Sequence, residues 1–293
     1  MDTKILTSES ILNFQKHLNM EEKSAATVAK YVRDCRAFFI FAGEQPISKL
    51  LVMQYKQSMI EKGYAVKSIN SMLASLNSLL NFLGWEECKV KNIRSQRQIY
   101  CEEKRELSKE EYIRLLKAAK NNPRIELILQ TICGTGIRVS ELVYFTVENV
   151  NQGAINVSCK NKIRTILIPT ALKKLLLKYA KKNKIKSGVI FRTKSGKAMN
   201  RSNIWAQMKR LAKEAGVLPS KVFPHNLRKL FAKTFYKAEK DIAKLADILG
   251  HSSINTTRIY IMTSGTEHRK KIEKLGLVIE DENEKGHNLH NVV

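Results

Sequence analysis

Residues 224–260, PHNLRKLFAKTFYKAEKDIAKLADILGHSSINTTRIY, are the stretch that decides the fold. His225 and Arg228 are three residues apart, so they share one face of a predicted helix and can reach the same anion. Gly250 follows two apolar residues and is typical of a helix end, which places His251 at the start of the next segment. Tyr260 comes nine residues after His251. The stretch therefore predicts helical segments that bring two imidazoles, a guanidinium and a phenol together.

The charge of the whole chain is strongly positive. Its 293 residues include 52 Lys and Arg against 27 Asp and Glu, a formal net charge of +25. An excess of this size favours a polyanionic partner, and nucleic acid is the first candidate. Because the basic residues are spread along the chain, binding to a membrane surface through one amphipathic helix is a weaker explanation. The length and a hydrophobic content of 43% indicate a globular protein with room for two domains.

The cysteines indicate a reducing compartment. Five of them are scattered along the chain without a C-x-x-C pair, and no signal sequence precedes the first helical pattern. No apolar run is long enough to span a bilayer. We therefore expect reduced thiols, no membrane partner and a cytoplasmic location. The cysteines are Cys35, Cys88, Cys101, Cys133 and Cys159.

Residues 5 to about 85 predict four helices. Apolar residues recur at helical spacing, Ser24 is a candidate N-cap, and glycines such as Gly43 and Gly84 end the patterns. Short loops between apolar-striped helices indicate a small antiparallel bundle. The polar faces carry basic side chains that suit phosphate contacts, although solvated surface is the alternative; they include Lys30, Arg33 and Lys67.

The middle of the chain predicts a linker and the start of a second domain. Positive charge collects between residues 88 and 106, where Arg94 and Arg97 lie, and helical periodicity fades there. Ser108 and Glu111 then form a predicted capping box before an apolar-periodic helix. We expect a helical domain over 1–87, a basic linker over 88–106, a second domain over 107–279 and a polar tail over 280–293.

Two motifs of the second domain have a specific geometry. Residues 133–142, CGTGIRVSEL, predict a tight turn at the glycines, with Arg138 in the first turn of the next helix as part of an anion pocket. No third glycine follows, so this is not a dinucleotide fingerprint. Residues 153–169 carry strand patterns around Lys160-Asn161-Lys162, which predicts a β-hairpin with lysines at its tip. Residues 189–191 predict a further short strand, and helices fill most of the remainder.

Taken together, these motifs resemble the tyrosine site-specific recombinases, also called phage-type integrases, in their short Xer-like layout. The resemblance is carried by GIRVSEL at 136–142, H-x-L-R at 225–228, LGHS at 249–252 and T-x-x-Y at 257–260. It implies a mainly α fold with a small β-hairpin (α+β) in the catalytic domain. The expected architecture is a two-domain clamp, with an N-terminal helical bundle, the SAM-like core-DNA-binding domain, before the catalytic domain.

The resemblance also implies the site. The matched catalytic positions are Arg138, Lys160, His225, Arg228, His251 and, as nucleophile, Tyr260. The family usually has a second histidine where this chain has Lys229, and often a glycine where it has Cys159, so Lys162 competes with Lys160 for the role of the hairpin lysine. Further candidates for DNA contact are Lys30, Arg33, Lys67, Arg94, Arg97, Lys162 and Lys229.

The implied reaction forms a covalent 3′-phosphotyrosine and exchanges strands through a Holliday junction, as an integration, excision, inversion or resolution. Paired guanidiniums suit the charge that develops on the phosphate oxygens. Lys160 is the expected general acid, His225 assists proton transfer at the tyrosine, and His251 donates to the phosphate. No metal, ATP or other cofactor is expected. The implied partners are double-stranded DNA and a tetramer on two sites, made of one chain or shared with a related recombinase.

Three alternatives stay open at this level. Tyr260 is flanked by Ile259 and Ile261 and is compatible with a purely structural position in the core. The chain is also compatible with a catalytically inactive DNA-binding protein of the same fold. A relaxing topoisomerase that uses type IB-like phosphotyrosine chemistry is the third alternative.

Overall fold

The computed structural model describes residues 4–94, 105–159, 162–263 and 265–277. The chain divides into two compact units, Met1–Arg97 and Gln98–Val293. Both are mainly helical, and the described residues of the second unit contain one two-stranded sheet. The predicted fold class, mainly α with a small hairpin, is confirmed. None of the helices in the described ranges is long and apolar enough to cross a membrane.

The first unit has the four helices that the apolar patterns predict. Ser24 caps α2, with its hydroxyl accepting the backbone N–H of Thr27, which confirms the expected N-cap. Gly43, at the end of α2, has a φ of +59°, a conformation that a residue without Cβ adopts without strain. A short 3₁₀ turn, Glu86–Cys88, follows the last helix. The helices are α1 (Ser8–Met20), α2 (Ala25–Ala42), α3 (Lys49–Glu61) and α4 (Val66–Phe82).

A buried carboxylate in the first unit changes the expectation for Lys30. Asp34 is only 4% exposed, and the Nζ of Lys30 lies 2.7 Å from its Oδ2. The same Nζ donates to the backbone oxygen of Ser71 at 2.9 Å and to the hydroxyl of Ser75 at 2.8 Å. These bonds use the three donors of the ammonium group. Lys30 is therefore engaged inside the bundle, and its predicted contact with DNA would have to break these bonds and leave Asp34 with Arg33 as its remaining ion-pair partner.

The second unit contains nine described helices, of which the first six pack with the hairpin around an apolar core that includes Ile128, Phe145 and Leu227. The capping box at the start of its first helix is confirmed, because Ser108 and Glu111 each accept the other's backbone N–H. The helices are α5 (Lys109–Ala118), α6 (Pro123–Thr135), α7 (Val147–Gln152), α8 (Thr170–Lys182), α9 (Arg201–Glu214), α10 (Pro224–Glu239), α11 (Ile242–Leu249), α12 (Ile254–Ile261) and α13 (Gly265–Glu273).

The hairpin pairs β1 (Ala154–Cys159) with β2 (Lys162–Leu167) in antiparallel register, which confirms the predicted hairpin. Alternation along β2 puts Ile166 in the core and leaves Leu167 75% exposed. Arg164 shares the inward face of Ile166 and pairs with Val157 across the sheet. Lys160 and Asn161, at the predicted tip, lie outside the described residues.

The predicted strand at 189–191 is wrong. Val189 forms only an isolated bridge with Thr146, and Arg192 forms another with Ala198. Residues 189–191 are apolar because Ile190 and Phe191 are buried in the core. The backbone N–H of Ile190 donates to the backbone oxygen of Phe145. A short buried apolar segment has the same sequence pattern as a short strand.

The turn around Arg138 also differs from the prediction. Helix α6 continues to Thr135, so Gly134 is helical and the turn is made by Gly136, whose φ is +65°. Arg138 has extended backbone angles and precedes a 3₁₀ turn, Val139–Tyr144, instead of lying inside an α-helix. The side chain of Glu141 accepts a hydrogen bond from the backbone N–H of Arg138 at 2.7 Å and caps the N-terminus of the 3₁₀ turn.

Candidate active site

The predicted catalytic side chains of the described residues gather where α10, α11 and α12 meet the turn after α6. Four of them line one cleft of about 480 Å³. Helix α10 begins at Pro224 and presents His225 and Arg228 from its first two turns. The cleft is lined by Ile137, Arg138, Val139, Ser140, Arg201, Trp205, Phe223, Pro224, His225, Arg228 and Tyr260.

The Tyr260 side chain is held against the core while its hydroxyl faces a base. Tyr260 is 8% exposed and packs in an apolar cluster with Ala232, Leu245 and Leu249. Its hydroxyl lies 3.4 Å from Nδ1 of His225, and the two rings meet at an angle of 60° with centroids 4.9 Å apart. Tyr260 can therefore belong to both the core and the site, because its ring packs against apolar residues while its hydroxyl reaches the cleft.

Arg228 is a buried guanidinium, 2% exposed. Its Nη1 donates to the backbone oxygen of Gly136, and its Nη2 donates to Leu249 at 2.7 Å. Its Nε is a buried donor for which no described residue provides an acceptor. Burial, with the positive charge of Arg138 second, lowers the pKa of Arg228 to about 10, so the group stays charged at neutral pH.

Arg138 is the more exposed arginine of the pair, with 39% of its side chain accessible. Its Nη1 donates to Oε1 of Glu141 at 3.1 Å, and its Nη2 donates to the backbone oxygen of Gly250 at 3.3 Å. Glu141 is itself buried at 3% exposure. A half-exposed guanidinium that a buried carboxylate orients has free edges with which to bind a phosphate.

His251 forms a hydrogen-bond chain that fixes its tautomer. The Nη2 of Arg228 lies 3.0 Å from Nε2 of His251, and an arginine has donors only, so Nε2 is the acceptor. Nδ1 then carries the proton and donates to the buried hydroxyl of Thr257 at 2.9 Å. The donor role that the sequence suggests for His251 would need a proton on Nε2, and this neutral tautomer has none there.

The electrostatics of the cleft favour neutral imidazoles. Burial, followed by the charge of Arg228, lowers the pKa of His251 to about 4. Burial and the charges of Arg228 and Lys229 lower the pKa of His225 as well. A neutral His225 can accept a proton from the nearby Tyr260 hydroxyl at neutral pH.

The candidate DNA contacts differ in their environments. Lys229 lies 2.5 Å from Glu106 in an ion pair, and Lys233 binds the other oxygen of the same carboxylate. Lys229 is therefore engaged with the segment before α5, and its predicted DNA contact would have to break that pair. Arg33, Lys67 and Arg94 are exposed on the first unit. The side chains of Lys160, Lys162 and Arg97 lie outside the described residues.

Three neighbouring residues have no role in the motif-based prediction, namely Glu141, Thr257 and Arg164. Arg164 is 12% exposed, and its Nη2 donates to Glu141 and its Nη1 to the backbone oxygen of Ile248. A charged residue at an inward-facing strand position was the sequence signal that could have identified it. Across the described ranges, no cluster of His, Cys, Asp and Glu has the composition to hold a metal ion.

Comparisons with known proteins agree with this geometry. The family model described as phage integrase family matches residues 105–266, and the model for the phage integrase N-terminal SAM-like domain matches residues 11–87. Tyrosine recombinase XerA of Pyrococcus furiosus is 29% identical over 286 residues, which cover 95% of this chain and 98% of that protein.

Two solved structures show the same fold. A lambda integrase dimer bound to a COC′ core site has a TM-score of 0.72 at 19% identity, covering 89% of this chain and 97% of that one. A lambda integrase tetramer bound to a Holliday junction has a TM-score of 0.67 at 20% identity, covering 87% of this chain and 77% of that one. The catalytic family model spans more than half of the chain and contains every described residue of the cleft. The chain therefore belongs to the phage integrase family, the tyrosine recombinases.

Proposed function

We propose that this protein is a site-specific DNA recombinase that cleaves and rejoins DNA through a 3′-phosphotyrosine intermediate. The observation that carries the proposal is the Tyr260 hydroxyl, 3.4 Å from His225, at a cleft that Arg138 and Arg228 also line. The phenol is the nucleophile, the imidazole is its base, and the guanidiniums hold the phosphate.

In the cleavage step, the Tyr260 oxygen attacks the scissile phosphorus and its proton passes to Nδ1 of His225. A bond from phosphorus to the tyrosine oxygen forms while the bond to the 5′-oxygen of the next nucleotide breaks. Lys160 gives the leaving oxygen its proton, with Lys162 as the alternative acid. Rejoining reverses the step when a 5′-hydroxyl attacks the phosphotyrosine. The intermediate keeps the bond energy, so the proposed scheme requires neither ATP nor a metal ion.

The two arginines stabilise the charge of the transition state in different ways. Arg228 has a buried Nε–H with no acceptor among the described residues, and Arg138 has an exposed guanidinium edge. Planar, permanently charged donors match the equatorial oxygens of a five-coordinate phosphorus. Loss of one such donor would raise the barrier by about 2.7–4 kcal/mol if it acts like an oxyanion-hole donor.

Double-stranded DNA is the proposed substrate. A net charge of +25 supports a polyanionic partner. Lambda integrase, which has this fold, is known as a dimer on a core site and as a tetramer on a Holliday junction. By analogy we propose that four protomers act on two sites, all of this chain or shared with a related recombinase. Action on chromosomal or mobile DNA would place the protein in a prokaryotic cytoplasm or nucleoid.

The domain boundaries belong to the same proposal. Residues 1–87 would bind the core DNA site, 88–106 would link the domains, 107–279 would catalyse the reaction, and 280–293 would form a polar tail. Ile272 and Leu275, at and just after the end of α13, are 54% and 62% exposed. We propose that they dock onto a neighbouring protomer, so deletion after residue 264 should impair recombination more than DNA binding. An unchanged recombination rate in the truncated protein would contradict this role.

A covalent-trapping experiment tests the chemistry. The wild-type protein and a Tyr260→Phe variant are mixed with nicked suicide substrates made from the DNA that flanks its own gene. A protein–DNA adduct that resists denaturation is expected for the wild type and not for the variant. Tyr236→Phe is the matched control, because Tyr236 is a phenol packed against the same apolar cluster.

Each outcome has a distinct meaning. An adduct that survives in Tyr260→Phe would assign the nucleophile to another residue. Tight DNA binding without an adduct on any tested site would favour a catalytically inactive DNA-binding protein. Plasmid relaxation without recombination would favour a topoisomerase.

A further inference from the structure

The C-terminus of α11 is a meeting point for three arginines from three different parts of the second unit. Its successive backbone oxygens at Ile248, Leu249 and Gly250 accept one guanidinium each. The oxygen of Ile248 accepts from Arg164, that of Leu249 from Arg228, and that of Gly250 from Arg138. The last carbonyls of a helix lack intrahelical partners and carry its partial negative charge, so they attract cations.

Arg164 is the member of this set that is absent from the proposed reaction. It comes from β2, and its side chain crosses from the sheet to the end of α11. The contact is close, because a Cβ built on Gly250 would lie 2.5 Å from Cδ of Arg164. Gly250 also has a φ of +63°, so glycine is required there both by the backbone and by the arginine that passes over it.

Glu141 connects Arg164 to Arg138. Its Oε2 accepts both from Nη2 of Arg164 and from the backbone N–H of Arg138, while its Oε1 accepts from Nη1 of Arg138. The buried carboxylate therefore divides its charge between two guanidiniums. Without Arg164, the whole charge of Glu141 would act on Arg138, and the carbonyl of Ile248 would lose its partner. Both changes would move Arg138 relative to the phosphate site.

We propose that Arg164 is a positioning residue for the cleavage reaction, which sets the orientation of Arg138 through Glu141 and of the α11 terminus through Ile248. The inference rests on the proposed recombinase function. Arg164 itself is kept from the cleft by its two partners, and it is not among the residues that line it. It acts on the scissile phosphate through Arg138.

A DNA-free measurement tests the positioning directly. Protein labelled with ¹⁵N at arginine Nε is compared by NMR as wild type, Arg164→Met, Arg164→Lys and Thr165→Val. Thr165 is the matched control, since it is the next residue of β2 and its exposed side chain donates to its cross-strand partner Asn156, on the face of the hairpin opposite to Arg164. We expect Arg164→Met to shift or broaden the Nε–H signal of Arg138, and Thr165→Val to leave it unchanged.

A cleavage measurement tests the consequence. Single-turnover formation of the phosphotyrosine adduct is followed on a normal phosphodiester and on a neutral methylphosphonate at the scissile position. We expect Arg164→Met to cleave the phosphodiester about 10- to 100-fold more slowly than wild type, as for a weakened charge-stabilising donor. On the methylphosphonate the deficit should shrink to within about 3-fold, because the transition state carries less charge for the arginines to stabilise. Arg164→Lys keeps the positive charge and should recover part of the rate.

The outcomes separate positioning from folding. An unchanged Arg138 signal in Arg164→Met, or an equal rate deficit on both substrates, would overturn the inference. A lower melting temperature with neither effect would make Arg164 a purely structural residue. If Arg164→Met does not fold, the same comparisons on Arg164→Lys decide the question. If the wild type forms no adduct, the recombinase proposal fails, while the NMR comparison still decides the positioning by Arg164.

Discussion

At the scale of single residues, the site depends on which protonation states its neighbours impose. His251 accepts from Arg228 and donates to Thr257, so protonation would place a third positive charge beside Arg228 and Arg138. Burial first, and this repulsion second, lower its pKa to about 4 from an ordinary value of 6.5. The imidazole thus helps to hold Arg228 in place as a neutral acceptor.

This neutral histidine predicts a pH dependence of stability. Between pH 6.5 and about 4, the unfolded chain binds a proton at His251 that the folded chain does not, so stability falls as the pH falls through that window. Across the whole window the free energy of unfolding should fall by about 3 kcal/mol, at about 1.4 kcal/mol per pKa unit. The pKa of His225 is also lowered, so its effect on stability has the same sign.

Urea unfolding at several pH values tests this prediction for the second unit. The chain has two tryptophans, so a Trp85→Phe background leaves Trp205 as the only one and reports that unit. In this background, His251→Gln should lose less stability on acidification than the parent. Identical pH profiles for the two proteins would show that His251 is not the group responsible.

At the scale of elements, the short helix α11 positions more of the site than its length suggests. Its last carbonyls orient three arginines, and its reversal at Gly250 directs the chain towards His251 and α12. Helix α10 supplies His225 and Arg228 on one face, as their spacing predicts. The site is thus built where helix ends meet, with α12 presenting Tyr260 from its last turn.

Gly250→Ala tests the junction of α11 with Arg164. A left-handed alanine costs about 1–2 kcal/mol in itself. The added Cβ also meets the Arg164 side chain, and overpacking of this kind costs a further 1–3 kcal/mol or so. Gly216→Ala is the control, because Gly216 has a φ of +60° with open space around its Cβ position. Equal losses of unfolding free energy in the two variants would mean that Arg164 moves aside without cost.

At the scale of the whole molecule, positive charge determines how the protein meets its substrate. Two partly buried lysines are already paired with carboxylates, Lys30 with Asp34 and Lys229 with Glu106. The exposed basic residues therefore provide the attraction to a phosphate backbone. Release of counterions from DNA makes such binding sensitive to salt.

We expect DNA affinity to fall steeply with salt. If six to ten phosphates are contacted, the binding constant should drop by about 10³–10⁵ between 50 and 200 mM salt. Fluorescence anisotropy with a labelled duplex measures the slope, and Lys67→Ala should reduce that slope by about 1 if Lys67 contacts a phosphate. If Lys67→Ala leaves the slope unchanged, Lys67 does not contact a phosphate. Binding that does not depend on salt would contradict the electrostatic model.

The amino-acid sequence by itself determined the helical pattern, the hairpin, the caps at Ser24 and Ser108 and the family motifs. These features depend on local periodicity and on short-range backbone bonds, which neighbouring residues specify. The wrong strand at 189–191 marks the limit of that information, because a buried apolar segment and a short strand have the same pattern.

Only the tertiary structure decided which charged groups pair. Arg164 and Glu141 are 23 residues apart, and Arg138 and Gly250 are 112 apart. The tautomer of His251, the bond from Lys30 to Ser75 and the ion pair of Lys229 with Glu106 likewise depend on partners that distant segments bring together. The energy of a buried charge depends on the neighbours that replace its water, and those neighbours exist only once the chain has folded.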